Sequence, residues 1–130
     1  MMKDKQISLT EAEWSVMECL WEKSPRTGRE TVAWLEQKMG WTRSTTLTML
    51  RRLEAKGAVA GDASREPKTF CPLIAREEVA VRETENLLDR AYKGSLSLLV
   101  SSLTKKQSLP QEEIDELYAL LKEMEGKRND

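Results

Sequence analysis

Histidine is missing from all 130 residues, and that one absence removes several chemistries. Ser-His-Asp and Cys-His nucleophile systems need an imidazole to carry the proton, and a two-histidine HExxH zinc site cannot form. Cysteine is nearly as scarce. Cys19 and Cys71 are the only two, and neither has the close-spaced companion that a thiolate metal site or a redox dithiol requires. No metal and no cofactor is expected. The opening "MMKDKQIS" lacks the apolar segment of a signal peptide, and no apolar run reaches the roughly 18 residues that mark a membrane span. These absences lead to the expectation of a cytoplasmic protein without a membrane partner. The carboxylate pairs Glu77/Glu78 and Glu112/Glu113 are adjacent in sequence, so on a helix they diverge and read as solvated faces near helix starts. No enzyme is expected.

What is present is helix. The chain is long enough for one domain, or a small domain with an appendage. Its net charge is only −1, but the charge is not evenly spread. Residues 1–74 hold 12 Lys and Arg against 10 Asp and Glu, and residues 75–130 hold 9 against 12. A mildly basic front and an acidic tail suit a nucleic-acid module followed by an oligomerisation arm.

Local signals divide the front into short elements. Thr10 and Glu13 make a T-x-x-E capping box that opens a helix carrying Val16, Met17, Leu20 and Trp21. Pro25 and Gly28 interrupt it. Thr27 and Glu30 make a second such box, for a helix with Val32, Leu35 and Met39 on one face, ended by Gly40. Thr42 is the candidate N-cap of a third helix that runs to about Lys56 and stops at Gly57. "GAVAGD" and "KTFCPL" then read as two strands of a hairpin around a polar turn. From Ala75 the chain returns to helix, broken at Gly94, continued by "SLSLLVSSL" and closed by a last helix from about Pro110. The expected fold is mainly α: a winged helix-turn-helix of three helices and a hairpin wing over 1–74, then a helical region over 75–130. In that second region, Val79, Leu87, Leu88 and Ala91 form one apolar stripe. Ile114, Leu117, Leu121 and Met124 form another. One-sided stripes too few to enclose a core are most simply buried against a second copy, so a homodimer is expected.

The third helix carries the chemistry. Placed on a wheel of about 100° per residue, Thr46, Met49, Leu50 and Leu53 face inward. Ser44, Thr45, Thr48, Arg51 and Arg52 face outward, with Leu47 on the boundary. A solvated face rich in hydroxyls is the simpler explanation. The order of elements favours another, because the second helix of a helix-turn-helix enters the major groove with its N-terminal residues at base edges. Short hydroxyls let the backbone approach, and Arg supplies charge and bidentate donors for phosphate or guanine. Double-stranded DNA is then the expected partner. A winged helix that uses this face for protein contacts is the alternative. Arg65 and Lys68 flank the wing tip, where either a phosphate contact or a plain solvated turn fits.

Four stretches, "LTEAEWSVMECLW" (9–21), "TGRETVAWL" (27–35), "STTLTMLRRLEAKGAV" (44–59) and "FCPLI" (70–74), together resemble the BlaI/MecI penicillinase-repressor family, which includes the copper-responsive CopY branch. The similarity extends through "LLDRAYKGSLSLLVSSL" and "LPQEEIDELYALLKEM". It implies an N-terminal winged helix, a C-terminal dimerisation region and repression by a dimer on a palindromic operator. Thr45 and Thr48 match threonines of that family's recognition helix, and Arg52 matches its R-L arginine, a phosphate contact by that analogy. Leu47 departs from the polar or aromatic residue expected there, which points to a different base preference, since an apolar side chain can meet a thymine methyl. The resemblance also implies release by a protease that cuts within the dimerisation region, near Ser101–Ser102. A serine pair stands there in place of the family's Asn-aromatic pair. No cysteine follows Cys71, so the copper-sensing branch does not fit.

The remaining aromatic and thiol residues read as packing. Trp14 and Trp21 share a helix face, Trp34 falls off its helix's apolar face, and Trp41 is placed to staple the start of the third helix. Cys19 reads as a small core residue and Cys71 as part of the wing sheet.

Overall fold

A computed structural model describes residues 7–106 and 108–128. It contains six helices and three strands among the described residues: α1 Glu11–Glu22, β1 Arg26–Thr27, α2 Gly28–Met39, α3 Arg43–Lys56, β2 Val59–Asp62, β3 Thr69–Pro72, α4 Arg76–Tyr92, α5 Leu96–Lys106 and α6 Gln111–Arg128. The mainly helical winged-helix architecture expected from the sequence is the one observed.

The capping signals form as the sequence spells them. The Thr10 hydroxyl accepts from the Glu13 amide at 3.1 Å while the Glu13 carboxylate accepts from the Thr10 amide at 2.9 Å. Thr27 and Glu30 repeat the exchange at 3.0 and 2.8 Å, so each box satisfies two amides that a helix start leaves orphaned. Gly40 and Gly57 end α2 and α3 in the left-handed region, at φ of 70° and 85°, where a Cβ would be strained.

The three front helices pack on one another around Val16, Met17, Leu20, Leu35, Leu50 and Leu53. The sheet closes the open side in the order β1-β3-β2, all antiparallel, with Arg26 opposite Phe70 and Gly61 opposite Phe70 on the other flank. Phe70, on the central strand, lies in the same cluster. Two details differ from the sequence expectation. Strand β1 lay hidden in the "KSPRTGRE" break. Met39 is half exposed while Thr31 is buried, its hydroxyl donating to the Thr27 carbonyl at 2.9 Å. A short hydroxyl side chain that returns its polar atom to the helix backbone is cheaper to bury than its composition suggests.

Glu13 is also buried, at 1% exposure. Burial pushes its carboxyl up, but the Lys56 ammonium and the Thr10 amide together outweigh that and hold it below the usual carboxylate range. Lys56 also donates to the Ser8 carbonyl at 2.7 Å, so one cation ties the end of α3 to the start of α1. Glu13→Gln should therefore destabilise the fold at neutral pH by about 1–3 kcal/mol, measured by urea unfolding. A depressed folded-state pKa gives stability that is present above the unfolded-state value and lost as pH falls through the folded one. The gap between the two proteins should accordingly close below about pH 4.

The backbone divides into two units, Met1–Thr84 and Glu85–Asp130. The division falls inside α4, later than the boundary after Ile74 that composition suggests. The physical reason is that the first turns of α4 belong to the front unit, where Val79 is 2% exposed and Arg76 pairs with Glu18 of α1.

Candidate nucleic-acid interface

Helices α2 and α3 stand as a helix-turn-helix joined at Gly40–Thr42. The Thr42 hydroxyl accepts from the Thr45 amide at 3.2 Å and donates to the Thr45 hydroxyl at 3.1 Å. That arrangement leaves the Thr45 O–H free to donate outward at the helix start. Thr46, Leu50 and Leu53 are buried and Met49 is half-buried, so the wheel's inner arc is the packed one. Ser44, Thr45, Arg51 and Arg52 are exposed together, and Thr48 is half-buried between them.

The Thr46 hydroxyl is the one buried side-chain polar atom without a hydrogen-bond partner among the described residues. Leaving a hydroxyl unpaired costs more than replacing it with a methyl of similar shape. Thr46→Val should therefore raise stability by about 1 kcal/mol in thermal or urea unfolding.

Sequence reasoning passed over Arg43. It is exposed in the first turn of α3, where no acidic residue accompanies it. A cation there opposes the helix dipole, and that misfit was the available signal of a partner outside the chain. Among the described residues, none of Arg43, Arg51, Arg52 or Arg65 has a carboxylate partner; Lys23, Arg29 and Lys38 also lack one, so what distinguishes the four is their place on α3 and the wing turn.

Two expected contacts sit differently. Leu47 is half-buried against the core, and its Cδ2 lies 3.7 Å from where a Cβ on Gly28 would stand, with Phe70 beside it. The notch at Gly28 gives this apolar side chain a place to pack, so it is turned outward only in part. Lys68 is turned away from the wing tip. Its ammonium lies 3.3 Å from the Glu54 carboxylate of α3 and 5.2 Å from the Phe70 ring centroid. Gly61 makes this possible, because a Cβ there would lie 2.5 Å from both Lys68 Cε and Glu54 Oε2. Lys68 therefore struts the wing against α3, and Arg65 is the cation of the turn that has no carboxylate partner among the described residues. That turn is held by the Asp62 carboxylate, which accepts from the Ser64 amide at 2.9 Å.

The penicillinase repressor family model matches residues 9–123. The chain belongs to this family. The penicillinase repressor of Bacillus licheniformis is 31% identical over 130 residues, which cover 100% of each chain. The methicillin resistance regulatory protein MecI of Staphylococcus aureus (strain N315) is 28% identical over 122 residues, 92% of this chain and 98% of that one. Among solved structures, the DNA binding domain of the repressor BlaI is 31% identical with a TM-score of 0.50, covering 60% of this chain and 93% of its own. The monomeric form of Bacillus licheniformis BlaI in complex with the blaP half-operator is 28% identical with a TM-score of 0.51, covering 57% and 90%. Penicillinase repressors are transcriptional repressors, not enzymes.

In this family member the apolar stripes of the second region differ in how much they expose. Val79 is a correction. It is covered within its own chain and has no surface left for a partner, because periodicity identifies an apolar face but not what covers it. Leu87, Ala91, Leu121 and Met124 are exposed, and Leu88, Ile114 and Leu117 are half-buried. Leu96, Leu98, Leu103, Tyr118 and Leu120 add to the apolar exposure of α5 and α6. Ser101 and Ser102 are exposed within α5, and the Ser102 hydroxyl accepts from Tyr92 Oη at 3.2 Å. No helix among the described residues is long and apolar enough to cross a membrane.

Proposed function

We propose that the protein is a transcriptional repressor that binds a palindromic duplex operator as a homodimer. In each subunit α3 lies in the major groove. Ser44, Thr45 and Thr48 approach base edges and backbone, Arg43, Arg51 and Arg52 neutralise phosphates, and Arg65 on the wing reaches an adjacent phosphate. The observation that carries this is the grouping on α3 and the wing turn of four exposed arginines that have no carboxylate partner among the described residues. Cations left unpaired beside a row of short hydroxyls suit a polyanion, and association is then driven by counterion release. The relative solved in complex with a half-operator supports DNA as the partner.

The exposed leucines of α4–α6 supply the dimer contact, and loss of that contact is the route to derepression. Cutting the chain near Ser101–Ser102 would separate the two DNA-binding units without touching α3. The relatives that repress penicillinase and regulate methicillin resistance make a β-lactam the inducer to try first.

The test is to titrate the full chain against palindromic duplexes from its own upstream region and against scrambled duplex, with the mass of each complex recorded. Two chains per palindrome and a steep salt dependence are expected. A monomer that binds no duplex at low salt rejects the reading and leaves the protein-contact alternative. For release, fragments ending near Ser101 after β-lactam challenge of the native cells are expected. Intact protein despite derepression rejects the cleavage step.

A further inference from the structure

Four ion pairs form among the described residues, and three of them tie parts of the helical body together. Arg26 of β1 and Lys56 of α3 meet Glu22 and Glu13 of α1. Arg76 of α4 meets Glu18 of α1 beside the indoles of Trp14 and Trp21, which lie edge to face. The fourth pair is different. Lys68 is the last residue of the loop between β2 and β3, and it reaches back to α3. Its ammonium lies 3.3 Å from one Glu54 oxygen and 3.4 Å from the other. The two side chains are 44% and 34% exposed, and an ion pair so exposed adds little to stability. A space is nevertheless kept for it. Gly61 stands within β2, where glycine weakens a strand, and its φ lies outside the left-handed region, so the backbone does not call for glycine. A Cβ there would lie 2.5 Å from both Lys68 Cε and Glu54 Oε2, and 3.1 Å from Lys68 Nζ. The contact between wing and α3 is what requires the missing side chain.

We propose that Lys68, Glu54 and Gly61 form a strut that sets how the wing stands against α3, and so places Arg65 for its phosphate contact. This rests on the operator-binding function proposed above. The three are positioning residues and do not touch DNA. The loop that carries Arg65 is held at both ends. At its start the Asp62 carboxylate accepts from the Ser64 amide at 2.9 Å. At its end Lys68 is anchored on Glu54, with the Phe70 ring centroid 5.2 Å from the ammonium. Arg65 falls between the two anchors, and a side chain on a loop already pinned loses less freedom when it meets a phosphate than one on a free loop. The pair has a second effect of the same sign. Glu54 follows Arg52 by two residues on α3, and a bare carboxylate there would repel the phosphates that Arg51 and Arg52 meet. Lys68 neutralises it.

The experiment uses the full chain and measures how log affinity for the palindromic duplex depends on log salt. Arg65→Ala should lower that slope by about 1.8 for a dimer, at roughly 0.9 for each of two lost phosphate contacts. Gly61→Ala removes no charge, but its methyl must displace the flexible ends of Lys68 and Glu54. It should lower the slope by about one and the affinity by about threefold or more. Added to Arg65→Ala, it should change the slope by no more than about 0.3, because the strut acts through Arg65. Lys68→Met breaks the same strut without altering the strand and should give the same pattern. An unchanged slope in Lys68→Met, or in a folded Gly61→Ala protein, overturns the strut. So does a further fall when either is added to Arg65→Ala. With Lys68→Met, such a fall of about 1.8 marks Lys68 as a direct phosphate contact; with Gly61→Ala it marks a general loss of fold. If Arg65→Ala leaves the slope unchanged while Arg51→Ala with Arg52→Ala lowers it, the strut is rejected and α3 remains the DNA-binding element. Wild-type protein that binds no duplex rejects both.

Discussion

Ending the chain after Thr84 should leave a folded, monomeric winged helix that binds a palindromic duplex about a hundredfold more weakly than the full protein. Each half-site contact survives, but the second one no longer forms at the high effective concentration that a dimer supplies. Sedimentation of the shortened chain and fluorescence anisotropy on full-site and half-site duplexes would measure both parts. The place of the cut matters. Stopping after Ile74 would also remove Arg76, which pairs with Glu18 of α1, and the buried Val79, so weaker binding there would mix unfolding with loss of the dimer. Leu121→Asp with Met124→Asp in the full chain attacks the same contact by putting charge on two exposed apolar positions of α6. A full chain that sediments as a monomer at micromolar concentration, or a shortened chain that binds the palindrome as tightly, would sink the dimer proposal.

Arg51→Ala combined with Arg52→Ala should weaken binding to every duplex, palindromic or random. It should also lower the slope of log affinity against log salt by about 3.6 for a dimer, at roughly 0.9 for each of four lost phosphate contacts. Both side chains are exposed and have no intramolecular carboxylate among the described residues, so the melting temperature should stay close to that of the parent protein. Thr48→Ala should behave differently, losing about 1 kcal/mol on the operator as one hydrogen bond would, with the salt slope unchanged. If the double arginine variant keeps its salt slope while folded, α3 is not the element that meets the phosphates.

The parts legible in the sequence were those fixed by local rules. Thr10 with Glu13, Thr27 with Glu30, and Gly40 and Gly57 each act within four or five residues of chain, so the helices they bound could be read directly. The third helix's two faces were legible for the same reason. What escaped depends on residues far apart. Strand β1 has two residues and no pattern of its own, and it exists because residues 69–70 pair with it. Glu13 was visible as a capping residue but not as the buried partner of Lys56. Lys68 looked like a wing-tip cation because nothing near it in the chain reveals the gap at Gly61 through which it reaches Glu54. Leu47 and Val79 were placed on the right helices, yet their neighbours are Gly28 and Phe70 for the one and the front unit for the other.

The indole pair beside Arg76 has a spectroscopic consequence. All four tryptophans, at 14, 21, 34 and 41, fall in the unit that ends at Thr84, and the two tyrosines, Tyr92 and Tyr118, fall in the one that follows. Red-edge excitation therefore illuminates the winged helix alone, while the helical circular dichroism signal also includes α5 and α6. Two optical probes on the unmodified chain thus weight its two parts differently, and unfolding curves that fail to coincide would show that those parts melt separately. Trp14 and Trp21, 5.3 Å apart with the Arg76 guanidinium within 6.0 Å of both ring centroids, are placed so that loosening at the start of α4 should shift the colour of the emission.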